Sequence, residues 1–557
     1  MAASLSIRHL RSDSAVWITQ TDFLAVVTVL FGLLWRLWLA HATFLDTDEA
    51  WHFATANQHS LLAAYKASLT LAHPPLLILI LYFWKHVDMS DLMLRLPGVL
   101  AGVVFCWVFY KWLAMLFGRT VAWIGLILAT LLPPMIALSA ELRQYPLMLA
   151  FAVSAAYFLE RALAADSVGM MWLSSVCLYL AMLSHYSAFP VAASLGVYAI
   201  LRMLAQRPPT ALLANWGIGQ AVGVGLAALL YWTHIARLGT VYPVAQPLRR
   251  FGDFYLADWY FHAGRDRLLL FLYRGTLGIF RFMFGQTGIG QVAAVLFFAG
   301  VFLQARRPPD AKLPPPRLTA ILLMIPFVLN WAAVTVGLYP YGRTRQCIFL
   351  AVFGIAGVSI AISKIVANRA GYAALLAVGV VAGCHLFGTL QGRDMLPVAE
   401  QRREHMDQAL QFLHAEVSPS AWIFTDKATS FQLGHYLCRQ KPVSLERTSD
   451  GLESFRCDRL RVVATGASEG ALSADKFAAK LQRASRDYAM NSEDDIWVVE
   501  GGWASGLGGA LRGEFPEFSR LTDRSFGRYI EILKLPVGSP SLAVRALPTR
   551  RVIGNKK

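Results

Sequence analysis

Long apolar blocks separated by short polar segments fill the chain from about residue 20 to about residue 390. A helix needs about 20 apolar residues to cross the hydrocarbon core of a bilayer, and about eleven blocks reach or approach that length. They run over residues 23–40, 96–117, 121–138, 146–159, 170–183, 188–204, 212–231, 291–303, 318–338, 347–362 and 372–390. The pattern predicts a polytopic α-helical membrane protein with about eleven transmembrane helices.

Two further apolar segments are predicted to lie in the membrane interface rather than to cross the bilayer. Residues 75–84 are too few to span it and are flanked by His73 and Lys85. Residues 268–284 are interrupted by Arg274 and Arg281. Short apolar helices with polar flanks are typical of interfacial segments.

Past about residue 393 the composition becomes that of a soluble protein. Three β-like runs, at 421–425, 460–464 and 496–500, alternate with helical patterns around 430–437 and 473–481. This alternation predicts a small α/β domain. Residues 506–509 predict a turn, and the basic tail 545–557 is expected to be disordered. The chain is therefore divided into a transmembrane domain, 1–390, and a soluble domain, 391–557.

The basic residues between the blocks predict the orientation. They cluster in alternate loops, at Lys111 and Arg119, Arg161, Arg202 and Arg207, Arg306 to Arg317, and Lys364 and Arg369. Because cytoplasmic loops carry an excess of Lys and Arg, the N-terminus is predicted to be cytoplasmic and the C-terminal domain to lie outside. We expect a multi-pass protein of the inner (plasma) membrane with a periplasmic C-terminal domain.

Composition excludes a single soluble globule and makes nucleic acid an unexpected partner. The chain of 557 residues is 56% hydrophobic and 15% charged, with a mean hydropathy of +0.47, whereas soluble domains carry about 25% charged residues. Its net charge of +16 arises largely in the short loops, which is a feature of membrane topology rather than of a phosphate-binding surface. Of the six cysteines, Cys438 and Cys457 lie in the soluble domain. An oxidising compartment would allow them to pair, but spacing alone leaves a disulfide and two thiols open.

The candidate chemistry begins with an acidic cluster soon after the first apolar block. Asp46, Asp48 and Glu49 lie within four consecutive residues. Crowded carboxylates near the hydrocarbon suit a general base or a divalent cation site. The alternative is an ordinary helix start, where an N-cap Asp and a following Glu are common.

Further candidates lie in loops predicted to share the outer face. His73 precedes two prolines, Glu141, Arg143 and Tyr145 form a Glu-x-Arg-x-Tyr segment, and His185 stands in a very short loop. The structural alternatives are a proline-initiated helix and interfacial anchoring of a helix end.

Two arginines, Arg343 and Arg345, lie in the loop 339–345, on the side where positive charge is disfavoured. Guanidinium groups bind phosphate oxygens in a bidentate manner, so either a phosphate substrate or phospholipid headgroups would be suitable partners. An extended loop would point both side chains the same way, and a compact turn would separate them.

In this order the motifs resemble those of the GT-C glycosyltransferases that use polyprenyl-phosphate sugars. The resemblance covers about residues 20–390 and is nearest to bacterial relatives of the protein O-mannosyltransferases and lipid A aminoarabinose transferases. It is carried by Asp48-Glu49-Ala50, by His73-Pro74-Pro75-Leu76 and by the Glu141-x-Arg143-x-Tyr145 segment.

The resemblance implies roles for several residues. Asp48 corresponds to the base that activates the acceptor, Glu49 to its partner acid and Glu141 to the second-loop acid. His73 stands where the aminoarabinose enzymes have Lys. Asp46 is an acid that the family pattern does not include. The resemblance therefore indicates the reaction class and leaves the substrate open.

The implied reaction is an inverting sugar transfer on the outer face, from a polyprenyl-phosphate-sugar donor to a protein, to lipid A or lipopolysaccharide, or to another glycan. Arg343 and Arg345, together with Arg143, would stabilise the departing lipid phosphate. Whether a divalent metal ion assists the base is left open by the sequence. The leading alternative is a transporter or flippase of lipid-linked glycans, which would need charges within the spans, where the sequence has few.

Overall fold

The structure is a computed structural model that describes residues 20–237, 256–310, 313–367, 369–388, 401–438, 446–447, 452–457, 459–464, 474–488, 490, 495–501 and 523–535. The predicted turn at 506–509 and the tail at 545–557 lie outside these residues.

The apolar region folds into helices. Their bounds are Gln20–Ala42, Thr47–Ala56, Leu61–Ser68, Leu76–Trp84, Asp91–Phe117, Arg119–Leu131, Pro133–Ala140, Tyr145–Ala165, Val168–Ser184, Ala188–Gln206, Thr210–Leu230, Leu268–Phe284, Thr287–Ala305, Pro316–Thr335, Leu350–Ile365 and Ala370–Phe387. Short helical turns cover Tyr231–Ile235, Ala257–Trp259 and Arg345–Cys347. The predicted polytopic helical architecture is confirmed.

Among the described residues, seven helices are long and apolar enough to cross a membrane, or eight if one bent pair forms a single span. Three further predicted blocks form shorter apolar helices, Val168–Ser184, Leu350–Ile365 and Gly371–Phe387. An α-helix of 17 residues is about 25 Å long, which is less than the hydrocarbon thickness of about 30 Å. By this criterion the structure supports seven or eight spans, where the sequence pattern predicts about eleven.

The bent pair comprises Arg119–Leu131 and Pro133–Ala140, which meet at 54°. Proline cannot donate the backbone hydrogen bond that would continue the first helix, so carbonyls near the break need other donors. Arg36, only 1% exposed, supplies one: its guanidinium donates to Thr130 O (2.9 Å), and it also donates to Met135 O in the second helix (3.4 Å). The Thr130 carbonyl at the break therefore has a hydrogen-bond donor inside the protein, as a lipid environment requires.

Both segments predicted to be interfacial form helices. Leu76–Trp84 has nine residues, and Leu268–Phe284 has the predicted bounds. Neither is a candidate span. Their position at the membrane interface stays a prediction.

In the described residues of the C-terminal region, seven strands form one sheet of order β2-β3-β4-β1-β5-β7-β6. The strands are β1 (Trp422–Thr425), β2 (Glu446–Arg447), β3 (Glu453–Cys457), β4 (Leu460–Ala464), β5 (Ile496–Gly501), β6 (Asp523–Phe526) and β7 (Ile530–Leu535). The central strands β4, β1 and β5 are parallel, and the outer pairs are antiparallel. The accompanying helices are Arg403–Glu416, Lys427–Leu437 and Ala474–Asp487. The predicted small α/β fold is confirmed, and its three predicted runs are the parallel centre of the sheet.

The chain forms two compact units. The first comprises Met1–Ala40, Tyr65–Ile80 and Leu92–Leu390, and the second comprises His41–Ala64, Leu81–Asp91 and Gln391–Lys557. The second unit therefore contains two segments from the loop that follows the first helix. A boundary at residue 390 alone omits these segments.

A disulfide joins Cys438 to Cys457. Cys438 directly follows the helix Lys427–Leu437, and Cys457 ends β3; their Cα atoms are 4.7 Å apart. The alternative left open by the sequence is thus decided in favour of a disulfide.

Replacing Cys438 and Cys457 together by Ser should destabilise the second unit. A closed loop with a sequence separation of 19 contributes about 3 kcal/mol in the chain-entropy account of disulfides. We expect faster cleavage of the C-terminal region in pulse proteolysis of the detergent-solubilised protein. Cys177→Ser, which removes a free thiol, is the matched control, and equal resistance of all three proteins would contradict the prediction.

Candidate functional site

The acidic cluster lies in the second unit, at the start of the helix Thr47–Ala56. Asp46 is the N-cap: its Oδ1 accepts a hydrogen bond from the Glu49 backbone N–H (2.7 Å), and the Glu49 Oε2 accepts one from the Asp46 backbone N–H (2.8 Å). This reciprocal capping box satisfies donors that a helix start leaves unpaired. Both side chains are buried, at 5% and 0% exposure. Two of the three acids are therefore used to start the helix.

Asp48 is placed differently from its neighbours. It occupies the first turn of the same helix and is half-buried rather than buried. A carboxylate in a first turn is stabilised by the helix dipole. Its backbone carbonyl accepts a hydrogen bond from His52 Nδ1 (2.6 Å), which further orders the turn. Among the acids of the cluster, Asp48 is thus the one whose side chain takes no part in the capping box.

The remaining predicted residues lie in the first unit, where Glu141 and Arg345 form an ion pair. Their Oε2 and Nη1 atoms are 3.6 Å apart, and the side chains are 12% and 7% exposed. Glu141 ends the helix Pro133–Ala140, and Arg345 begins the turn Arg345–Cys347. The structure therefore joins two loops that are about 200 residues apart in the sequence.

A stack of rings adjoins the second-loop motif. The Arg143 guanidinium carbon lies 5.9 Å from the centre of the Tyr145 ring, which lies 4.9 Å from the His185 ring. The His185 ring is in turn 5.3 Å from the ring of His73. Four residues from three separate segments of the sequence are thus brought together. Arg143, Tyr145 and His185 are buried, and His73 is half-buried.

His185 is held as a neutral imidazole with a defined tautomer. Its Nδ1 accepts a hydrogen bond from the Ser187 backbone N–H (3.0 Å) and lies 2.6 Å from the Ser187 Oγ. Burial, and secondarily the charge of Arg143, lowers the pKa of His185 to about 3. Because Nδ1 accepts, the ring proton lies on Nε2. His185 therefore offers a neutral hydrogen-bond donor, its Nε2–H.

The loop of the two arginines is fixed by its aromatic and glycine residues. Tyr341 is fully buried, and its Oη lies 2.6 Å from the Thr276 Oγ1. A Cβ at Gly342 would collide with the ring of Trp259. Arg345 turns into the ion pair with Glu141, whereas Arg343 is half-buried. The loop is therefore not uniformly extended, and the two arginines have different surroundings.

Sequence reasoning missed two residues that organise this part of the first unit, Ser187 and Tyr339. The Tyr339 Oη donates to Gln346 O (3.1 Å), and burial raises the pKa of its phenol well above the ordinary value. Ser187 stands two residues after His185 and directly precedes the helix Ala188–Gln206, where a serine is ordinary, so the sequence alone does not mark it as a partner of His185. Tyr339 stands in a Tyr-Pro-Tyr segment, which is the signal that could have identified it.

The described part of the chain contains no group of three or more His, Cys, Asp or Glu side chains arranged to hold a metal ion.

Comparisons with known proteins agree with the resemblance given by the motifs. Residues 72–232 match the sequence model of the dolichyl-phosphate-mannose-protein mannosyltransferase family. The fold is similar to that of ArnT from Cupriavidus metallidurans in the apo state, with a TM-score of 0.52 and 12% identity over 94% of this chain and 99% of that one. ArnT bound to undecaprenyl phosphate gives the same TM-score and identity over 93% and 98%. No curated protein sequence matches the chain.

A third solved structure, the Archaeoglobus fulgidus oligosaccharyltransferase tethered with an acceptor peptide, aligns at a TM-score of 0.46 and 10% identity, over 86% of this chain and 69% of that one. The predicted resemblance to GT-C glycosyltransferases is confirmed by the family match and the ArnT fold. The chain is a multi-pass membrane protein with this fold.

Removing one partner of the Glu141–Arg345 pair should destabilise the first unit. A buried charge that loses its ion-pair partner costs about 3–5 kcal/mol, so Glu141→Gln and Arg345→Met should each lower the melting temperature in detergent. The double variant should recover part of the loss, because the two changes are coupled. Arg265→Met, which breaks an exposed pair with Asp266, should have little effect. Additive losses at Glu141 and Arg345 would contradict the prediction.

Proposed function

We propose that the chain is an integral membrane inverting glycosyltransferase. It transfers a sugar from a polyprenyl-phosphate-sugar donor to a protein, to lipid A or lipopolysaccharide, or to another glycan, on the outer face of the membrane. The observation that carries the proposal is the half-buried position of Asp48 in the first turn of the helix that Asp46 and Glu49 cap. A fold alone does not define a function, so the proposal rests on these residues together with the fold.

The proposed chemistry begins with the acceptor hydroxyl. Asp48 takes its proton as the hydroxyl oxygen forms a bond to C1 of the sugar. The bond between C1 and the lipid phosphate oxygen breaks on the opposite face of the ring, so the configuration inverts and the electron pair leaves with the polyprenyl phosphate. Glu49 acts through the cap that orients Asp48 rather than on the substrate.

The departing phosphate needs hydrogen-bond donors and positive charge, which the first unit offers. Arg343 and Arg143 supply guanidinium groups, and His185 supplies the neutral Nε2–H donor described above. Arg345 is compensated by Glu141 and is assigned to holding the loop. A phosphate is a good leaving group, so this reaction needs no general acid. ArnT has been solved with undecaprenyl phosphate bound, which supports a polyprenyl phosphate as the ligand of this fold.

The charges found inside the apolar helices do not favour a transporter. Glu160 pairs with Arg202 (3.2 Å) and accepts a hydrogen bond from Tyr198, and Arg36 binds backbone carbonyls. Each of these groups is buried among partners within the helices rather than lining a polar route.

The proposed orientation has a cytoplasmic N-terminus and a periplasmic C-terminal domain. It is supported by the distribution of Lys and Arg and by the Cys438–Cys457 disulfide, since disulfides persist in oxidising compartments.

Asp48→Asn should abolish most sugar transfer while protein amount and membrane insertion stay normal. General-base help is worth about 10²–10⁴-fold, and the amide cannot accept the proton. Mass spectrometry of glycolipids and glycoproteins from cells with and without the protein first identifies the product, and the purified variant is then assayed with that acceptor.

Asp88→Asn is the matched control, because Asp88 is an exposed acid of the same loop. It should transfer sugar normally. Wild-type turnover by Asp48→Asn would remove Asp48 from the mechanism, and identical glycan profiles with and without the protein would remove the proposed activity.

Arg343→Lys should raise the KM for the polyprenyl-phosphate sugar about tenfold, with protein levels unchanged. Lysine keeps the charge but loses the bidentate fork, so the change separates phosphate recognition from headgroup anchoring. Arg265→Lys, at an exposed arginine, is the control. If Arg343→Lys uses the donor as the wild type does, Arg343 is a membrane anchor and Arg143 becomes the leading phosphate ligand.

A further inference from the structure

We propose that the C-terminal domain positions the base: Gln401, Gln432 and Tyr436 hold the backbone of Phe44 and Leu45, and so orient the helix start that carries Asp48. The proposal rests on the proposed function, in which Asp48 is the base. It assigns a role to a domain whose fold alone suggests none. All residues of the argument belong to the second unit.

The first contact is a reciprocal pair between Phe44 and Gln401. The Phe44 backbone N–H donates to Gln401 O (3.0 Å), and Gln401 Nε2 donates to Phe44 O (2.7 Å). The same Nε2 lies 3.4 Å from the Glu49 Oε2. Gln401 thus holds both the approach to the helix and one member of its capping box.

The second contact fixes the next residue, Leu45, from the helix Lys427–Leu437. The Leu45 backbone N–H donates to Tyr436 Oη (2.8 Å), and Gln432 Nε2 donates to Leu45 O (3.0 Å). Phe44 and Leu45 are fully buried. The four backbone polar groups of two successive residues are therefore bonded to the C-terminal region, immediately before the cap residue Asp46.

The Tyr436 hydroxyl is itself fixed by Asp91. It donates to Asp91 Oδ2 (2.8 Å), and Asp91 Oδ1 lies 2.9 Å from His435 Nε2. A tyrosine hydroxyl has one proton to donate. Because that proton goes to the carboxylate, the oxygen presents its lone pairs to the Leu45 N–H, and the direction of both bonds is defined.

Side-chain packing aligns the two helices along their lengths. The Trp51 ring stacks on Phe431 with centres 5.6 Å apart and an interplanar angle of 6°, and Phe53 meets the edge of His435 at 5.2 Å. The helix Lys427–Leu437 is joined to the sheet, since it follows β1 directly, Asp426 caps it, and Thr429 Oγ1 donates to Gly501 O in β5 (2.9 Å). The helix that carries Asp48 therefore takes its position from the sheet.

If these contacts position Asp48, their loss should lower kcat and leave the KM for the donor unchanged. A displacement of about 1 Å at a reacting group can lower a rate by about a hundredfold. The loss of one of several hydrogen bonds is expected to have a smaller effect, of about tenfold.

Tyr436→Phe keeps the ring and removes the oxygen that receives the Leu45 N–H. In the full-length protein we expect kcat to fall about tenfold with the donor KM unchanged. Tyr488→Phe is the matched control, because the Tyr488 hydroxyl is buried in the same unit without a hydrogen-bond partner among the described residues. Its kcat should equal that of the wild type. An unchanged kcat in Tyr436→Phe would overturn the proposal.

Combination with Asp48→Asn separates positioning from general damage to the fold. If Tyr436 acts through Asp48, adding Tyr436→Phe to Asp48→Asn should cause no further loss of the residual transfer. A further tenfold loss in the double variant would show a role independent of the base and would overturn the proposal. If Tyr436→Phe does not accumulate, Gln432→Leu, which removes the hydrogen bond to Leu45 O, is combined with Asp48→Asn and assayed instead.

Hydrogen–deuterium exchange provides a readout that does not depend on activity. Amides of residues 44–50 should exchange about tenfold faster in Tyr436→Phe than in Tyr488→Phe. If exchange is faster in Tyr436→Phe but the wild-type protein transfers no sugar, the proposed hold on Phe44 and Leu45 stands and the proposed function is wrong. If exchange is the same in Tyr436→Phe and Tyr488→Phe, the proposal that Tyr436 holds this segment is wrong, whatever the activity.

Discussion

The reciprocal hydrogen bonds between Asp46 and Glu49 determine which carboxylates of the acidic cluster have a structural role. Adjacent carboxylates in a partly apolar environment repel one another, and burial disfavours their charged forms. Backbone N–H groups at a helix start offset both effects for the two acids that cap it. The third acid, Asp48, is half-buried and sits one position before Glu49. One constraint, the hydrogen bonding of a helix N-terminus, thus gives two of the three carboxylates a structural role and leaves Asp48 outside the capping box.

The same requirement that buried polar groups be paired explains the charges inside the apolar helices. Arg36 satisfies carbonyls at a proline break, and Arg95, fully buried, donates to Ala40 O (2.8 Å) near the end of the first helix. Glu160 and Arg202 neutralise each other. An unpaired backbone or charged group in such surroundings costs several kcal/mol. These residues therefore maintain the helix breaks and ends that give the loops their shapes.

Features that depend on local pattern could be predicted from the sequence, and features that depend on distant partners could not. Residues 268–284 form a helix at the predicted bounds, and three apolar runs form the parallel strands β1, β4 and β5, because hydrophobic periodicity is local. The pattern does not predict the outer strands, and of these β2 has only two residues and is defined by its neighbour. Likewise, nothing near Glu141 in the sequence indicates Arg345.

Charge compensation in the first unit narrows what can stabilise a leaving phosphate. Glu141 compensates Arg345, and this pair adds little net positive charge to its surroundings. His185 is kept neutral by burial and by the guanidinium of Arg143, so it contributes a dipole and not a charge. Arg143 and Arg343 are the phosphate ligands proposed for this unit, with His185 as a neutral hydrogen-bond donor. Such an arrangement suits a leaving group that is already anionic, because preorganised donors need no proton transfer when the bond breaks.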